Sequence, residues 1–304
     1  MLTALVPVFI IILLGYLCKR FGFLRQPFWI GAEQLTYFVL FPALLFEKLA
    51  AASFDIGTAL PMALSLILTI LSLSLLLFLL RPVTGLSGPS FSSVFQGGVR
   101  FNTFVALAGV SALLGGSGLT LAAVLLLGMI PLINLLCVIT LTRFGSGQQT
   151  RIGGIFLEIL RNPLILASLI GFSYNLSPLP LPRGMLLIFD ILGKAALPMG
   201  LLAVGAGLRI ETLKSSGRGV ILSSLIKLVL FPLFTAGFCQ LLQVQGEPRA
   251  VALIFSAVPT AVSAFVLARQ LGGDTDLMAS IVTIQTILSA ATMPLMLEVL
   301  GATV

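Results

Sequence analysis

The sequence predicts an all-α integral membrane protein of ten transmembrane helices, built as a 5+5 inverted repeat whose helices 4 and 9 are broken and cross. Three observations carry this. Hydrophobic residues make up 58% of the 304-residue chain, charged residues 9%, and mean hydropathy is +1.16. A soluble domain carries about 25% charged residues. The apolar runs fall near 3–18, 28–50, 58–80, 91–114, 119–142, 163–177, 184–208, 217–243, 249–271 and 278–301, and about 20 helical residues cross a bilayer. Finally, the Gly/Pro punctuation occurs twice. Pro7, Gly15 and Pro42 are echoed 156 residues later by Pro163, Gly171 and Pro198. Asn102-Thr103 and Leu114-Gly115-Gly116 are answered 157 residues later by Pro259-Thr260 and Leu271-Gly272-Gly273. Two copies of one unit result: residues 1–142, a cytoplasmic linker over 143–161, and residues 162–304. Five is odd, so the second copy runs through the membrane opposite to the first.

Taken in order, span 1 ends in Lys19-Arg20, and these charges follow its apolar run instead of preceding it, unlike a cleavable signal. Span 2 carries Pro42, with Glu33 and Glu47 near its ends and Trp29 as an interface anchor. Span 4 contains Gln96-Gly97-Gly98-Val99-Arg100-Phe101-Asn102-Thr103 and then Gly109. Glycines weaken a helix, and polar side chains at membrane depth line a cavity or are buried by protein. Arg100 is a candidate to attract an anion. The linker has room for one amphipathic segment, Ile152–Leu160. Span 7 carries Asp190 and Lys194, one turn apart; they form either a neutralised pair or a coupling pair. Lys227 in span 8 either attracts an anionic substrate or, as expected here, snorkels to the cytoplasmic interface. Span 9 carries Ser256, Pro259, Thr260 and Ser263, and Pro259 removes a backbone donor, which breaks or kinks the helix. Span 10 supplies Thr283, Gln285, Thr286 and Ser289 as hydroxyl and amide ligands. Spans 4 and 9 hold equivalent places in the two copies, so a pseudo-twofold axis makes them cross near the midplane. A broken helix presents N–H groups and a positive dipole end there, which suits an anion.

Charge gives the orientation. Loops after the odd-numbered spans hold eleven basic residues: Lys19, Arg20, Arg25, Arg81, Arg143, Arg151, Arg161, Arg209, Lys214, Arg218 and Arg269. The opposite loops hold Lys48, Arg183 and Arg249. Cationic loops stay in the cytoplasm, so both termini lie outside and the net charge of +7 reports topology, not a nucleic-acid partner.

Several chemistries are excluded. The chain has no histidine, hence no His-based triad, relay or metal site. Cys18, Cys137 and Cys239 lie far apart, with no metal or redox spacing. No phosphate-binding loop with its Lys exists, and Gly115-Gly116 and Gly272-Gly273 read as helix-ending turns. No cofactor, metal or enzymatic activity is expected.

Asn102-Thr103-Phe104-Val105, Arg161-Asn162-Pro163-Leu164-Ile165, Ala195-Ala196-Leu197-Pro198, Ala257-Val258-Pro259 and Phe265-Val266-Leu267-Ala268 together resemble the auxin efflux carrier family, whose members include bacterial malate and malonate carriers. The resemblance spans essentially the whole chain and extends to the fold of bile acid/sodium symporters. It implies a scaffold of helices 1, 2, 6 and 7, with a wall containing Pro42 and Pro198, and a moving transport domain of helices 3–5 and 8–10. Asn102 matches the family's substrate asparagine and Pro259 its crossover proline. Thr103, Arg100, Thr260 and Ser263 adjoin them, and Asp190, Lys194, Gln285 and Thr286 are candidates for coupling. The proline usual about seven residues after the asparagine is Gly109 here. The implied function is elevator-like, alternating-access transport of a small organic anion across the bacterial inner membrane, by uniport or exchange. A homodimer through the scaffold is part of the resemblance. The alternatives are a sodium-coupled symporter of the same fold and a membrane sensor that binds without transporting. The topology predicts that alkaline phosphatase fused after Val304 is active in an intact bacterial cell; an inactive fusion beside an active cytoplasmic reporter at the same site reverses the orientation.

Overall fold

A computed structural model describes residues 2–51, 56–146, 161–177, 182–211 and 217–302. Among them there is no strand. The chain runs through α1 (Leu2–Arg20), α2 (Gln26–Leu35), a π-helical turn (Thr36–Leu40), α3 (Phe41–Ala50), α4 (Ile56–Thr84), α5 (Gly88–Val99) and α6 (Thr103–Phe144). It continues through α7 (Pro163–Asn175), α8 (Arg183–Gly207), α9 (Arg218–Leu225), a second π turn (Ile226–Leu230), α10 (Phe231–Leu241), α11 (Gly246–Ala257), α12 (Ser263–Leu271) and α13 (Thr275–Val299). Residues 147–160 of the expected linker, with the Ile152–Leu160 segment, lie outside the described residues, as does Lys214.

Among the described residues, seven helical segments are long and apolar enough to cross a membrane. The difference from the ten expected runs has a structural cause. Spans 4 and 5 form one apolar stretch, Gly88–Phe144, interrupted at Arg100–Asn102 and turned again at Gly115. Span 9 is divided between α11 and α12, each too short to cross alone. Span 6 is α7, with 13 residues. Gly115 has φ 66° and ψ −143°, a region that favours glycine. Gly272 ends α12 in the left-handed conformation, as its place after an apolar run implies.

Both π turns end on a leucine that is followed by Phe-Pro, Leu40-Phe41-Pro42 and Leu230-Phe231-Pro232. A proline inside a helix clashes with the carbonyl four residues back and lacks an N–H. Here the N–H of each Phe reaches five residues back, to Thr36 and Ile226, so the helix absorbs the proline by widening one turn.

The outer surface is apolar. Ile10, Leu75, Leu79, Ile191 and Ile221 are all exposed, which suits lipid and not water. Inside, Phe41, Phe91, Phe95, Phe231 and Phe255 are fully buried. Close helix contacts use small residues, as expected where helices pack within lipid. α1 lies directly against α8, where a Cβ on Gly205 would strike the Ile12 carbonyl. Lys19 secures the same pair by donating to the Ala206 carbonyl at the end of α8 (2.6 Å). The three cysteines are free thiols, Cys137 and Cys239 buried and Cys18 half-buried. Gly205→Val should therefore force α1 away from α8, and overpacking of this kind costs about 1–3 kcal/mol. The detergent-solubilised variant should melt several degrees below the parent by size-exclusion thermostability, and an unchanged melting temperature removes the close contact.

Candidate functional site

One group of the interior's polar side chains gathers where two helices stop. α5 ends at Val99, and Arg100 (φ −77°, ψ 136°) and Asn102 (φ −85°, ψ 102°) are extended. α11 ends at Ala257, and Val258 (φ −77°, ψ 156°) is extended too. The residue before a proline is pushed from helical to extended geometry, so Pro259 sets this second break from sequence. No proline lies in the first. It is held from outside: the Asn102 N–H donates to the Pro259 carbonyl (2.8 Å).

A helix end inside a membrane leaves backbone groups that need partners. The Gly97 carbonyl, at the end of α5, accepts from the Thr260 hydroxyl (2.7 Å) and from Gln285 Nε2 (3.0 Å). The same Nε2 donates to Ser223 Oγ (3.0 Å), and Gln285 Oε1 accepts from the Thr260 N–H (3.0 Å). One glutamine of α13 therefore ties α5, α9 and the α11–α12 break together. Phe101 and Phe255 pack edge to face beside it (5.4 Å). Gly97 makes the closeness possible, since a Cβ there would meet Ser223 Oγ and lie 2.7 Å from Ile281 Cγ2.

Asn102 starts α6. Its Oδ1 accepts from the N–H groups of Phe104 (3.1 Å) and Val105 (3.2 Å), the usual work of an N-cap asparagine. Its Nδ2 is buried and has no partner. One guanidinium nitrogen of Arg100, Nη1, is likewise buried and unpartnered, as are both amide atoms of Gln96. Arg100 lies beside Tyr37 and Cys137, and Tyr37 reaches Asn162. Phe104 stacks face to face on Phe41 of α3 (4.7 Å, 4°), which brings the Pro42 turn against the start of α6. Thr103 is half-buried at this turn. No side chain caps α12 across the break, and Ser263 at its start is exposed.

The structure thus brings together Asn102, Thr103, Arg100, Pro259, Thr260 and Gln285, with Ser263 and Pro42 at the margins. It does not bring the other candidates there. Lys194 and Asp190 pair with each other at 2.6 Å, with 76% and 36% of their side chains exposed. Thr286 donates to its own helix at Val282 (2.7 Å). It also lines a cavity of about 470 Å³ between α1 and α13, otherwise walled by apolar groups such as Leu5, Phe9 and Pro294. The unpartnered polar atoms lie elsewhere, so this cavity is not the centre of the site. Gly109 is helical and buried; a Cβ would lie 2.8 Å from Met293 Cε. Its smallness serves packing, and the break falls seven residues earlier.

One expectation is overturned. Lys227 does not snorkel: it is fully buried in the second π turn, donating to the Ser256 carbonyl (3.2 Å) with Nζ 3.8 Å from the Phe231 ring centre. The Ser256 carbonyl belongs to the last turn of α11, where a cation meets the negative helix end. A lysine so far from either end of its apolar run was the signal in sequence.

No cluster of metal-ligating side chains occurs among the described residues. Discontinuous helices meeting at mid-span inside an all-helical apolar fold mark a multi-pass membrane transporter rather than an enzyme. The comparisons agree. The sequence model of the membrane transport protein family matches residues 1–297, and the chain belongs to that family. An uncharacterized transporter of Methanothermobacter thermautotrophicus is 26% identical over 293 residues, covering 95% of this chain and 94% of the relative. One from Methanocaldococcus jannaschii is 23% identical over 293 residues, 93% of each. Auxin efflux carrier component 6 of Arabidopsis thaliana is 26% identical over 138 residues, 43% of this chain and 24% of the plant protein.

Gln285→Leu should leave the Thr260 N–H and the Ser223 and Gly97 oxygens short of partners, at about 1–3 kcal/mol for each group left unsatisfied. Thr260→Val should cost less, and the two together less than their sum, because they share the Gly97 carbonyl. Thermal unfolding of the four proteins measures this; strict additivity breaks the shared network.

Proposed function

We propose that this protein is a secondary carrier for a small organic anion, a mono- or dicarboxylate, bound at the start of α6 beside the crossing. The observation that carries the reading is the buried, unpartnered Asn102 Nδ2 at a helix N-terminus, with a free Arg100 nitrogen on the same unwound segment. An amide donor, a guanidinium and a positive helix end together suit a carboxylate. The uncapped start of α12 adds a second dipole end.

The ten-span inverted repeat belongs to this reading. What supports it is the pairing of α1 with α8 and of α3 with α7, both with close glycine contacts, Gly15 on Leu202 and Gly171 on Phe46. A pseudo-twofold axis would exchange these two pairs. They would form the scaffold, and through it a homodimer, while α4–α6 and α9–α13 move as the elevator. Both termini would face outward from the cytoplasmic membrane. The reading is uniport or exchange with respect to sodium, because the Thr260 hydroxyl and the Gln285 amide are already hydrogen-bonded within the protein.

Proteoliposomes loaded with radiolabelled malate, malonate or indole-3-acetate on one side test this. Uptake of at least one should proceed without sodium and fall about tenfold or more in Asn102→Ala, the equivalent of one hydrogen bond to a charged group. Equal transport by the variant displaces the site. Binding without movement makes the protein a sensor, and a strict sodium requirement makes it a symporter.

A further inference from the structure

We propose that Lys227 carries a proton with the substrate, so that this carrier moves carboxylate and H⁺ together; the proposal rests on the anion-carrier reading above. The lysine is fully buried, and its Nζ has one carbonyl and one aromatic face for company, from Ser256 and Phe231. No carboxylate pairs with it among the described residues.

The elements packed against the π turn are α5, α9, α10, α11 and α13. α5 contributes no ionisable side chain; Gln96 and its serines are neutral. α9 has Arg218 at its first residue, and α10 has Cys239, paired with Ser65 (3.4 Å). α11 has Glu247 and Arg249 in its first turn, engaged with Ser117 (2.6 Å) and Leu300 (3.0 Å). α13 has Asp276 and Glu298, one at each end. Arg100, at the nearby break, has the same sign as an ammonium. An ionised amine buried with so few partners is unfavourable. Its missing counter-charge is what a carboxylate substrate brings.

The distance is short. Ser256 precedes Pro259 by three residues, at most about 10 Å of chain, and the Pro259 carbonyl is bonded to the Asn102 N–H. A carboxylate at Asn102 therefore stabilises the charged form of Lys227, and by linkage protonation of Nζ tightens carboxylate binding by the same factor. On loading, Nζ takes a proton from water on that side. On release of the carboxylate the N–H bond gives the proton to water on the other side, so one H⁺ travels per anion. The ring of Phe231 and the Ser256 carbonyl hold the amine in place in both states.

The test uses the purified full-length protein in liposomes containing the pH dye pyranine, with membrane potential clamped by potassium and valinomycin. Radiolabelled malonate and malate are the probes. The parent should acidify the interior by about one proton per anion, corrected for protein-free vesicles. A one-unit inward pH gradient should raise the accumulation ratio about tenfold. Lys227→Met and Lys227→Arg should carry at most a small fraction of a proton per anion, Arg because its guanidinium stays charged. The parent's proton ratio decides the matter even if a variant misfolds. Uptake by the parent with no proton movement overturns the proposal and leaves the carrier standing, as does an unchanged ratio in folded Lys227→Met. No uptake of any carboxylate by the parent overturns the carrier, and the proposal with it.

Discussion

Two helices stop inside a region that has no water to receive their free backbone groups, and the rest of the structure follows from how each break satisfies the other. The N–H of Asn102 goes to the carbonyl of Pro259, and the carbonyl of Gly97 receives the Thr260 hydroxyl and the Gln285 amide. In hydrocarbon an orphaned peptide group costs several kcal/mol, so neither interruption is stable without the other. α9 and α13 are drawn in because Ser223 and Gln285 complete the set. The close approach of α5 to both depends on the missing side chain at Gly97.

What remains after this mutual satisfaction is the basis of the proposed site. Asn102 Nδ2 and Arg100 Nη1 are buried and unpartnered, while the hydroxyl and amide groups of Thr260 and Gln285 are engaged. The same side chains that sequence reasoning grouped as one polar cluster therefore divide into two classes, structural and available. The Phe41–Phe104 stack places the second helical span against the start of α6, so the binding face proposed above would lie between parts of the chain that the elevator reading sets in relative motion.

Much of this was legible beforehand. Pro259 declared its break, since proline acts locally on Val258 and on its own missing N–H. Asn102 read as a polar amide in the weak stretch of span 4; that it caps the start of α6 is known only from the structure. Asp274 at a helix end caps α13, accepting from the Leu277 N–H (3.0 Å). The first break was harder, because nothing local fixes its place: the Gln96–Thr103 stretch and Gly109 were both weak, and the interruption at Arg100–Asn102 is held by the Pro259 carbonyl, 157 residues on. The fate of Lys227 was hidden for a related reason. Snorkelling is a property of one helix alone, whereas burial against Ser256 needs α11 beside it. Asp190 and Lys194 could be paired by spacing, but their outward direction depends on which face of α8 meets α1 and α3.

The joint between the two breaks consists only of amides, hydroxyls and backbone carbonyls. None of these gains or loses a proton in the range that living compartments span. In a membrane protein that faces two solutions, such a joint is chemically deaf to the acidity of both. Acidity can act on a neighbouring amine without loosening the bonds that hold the four half-helices in register.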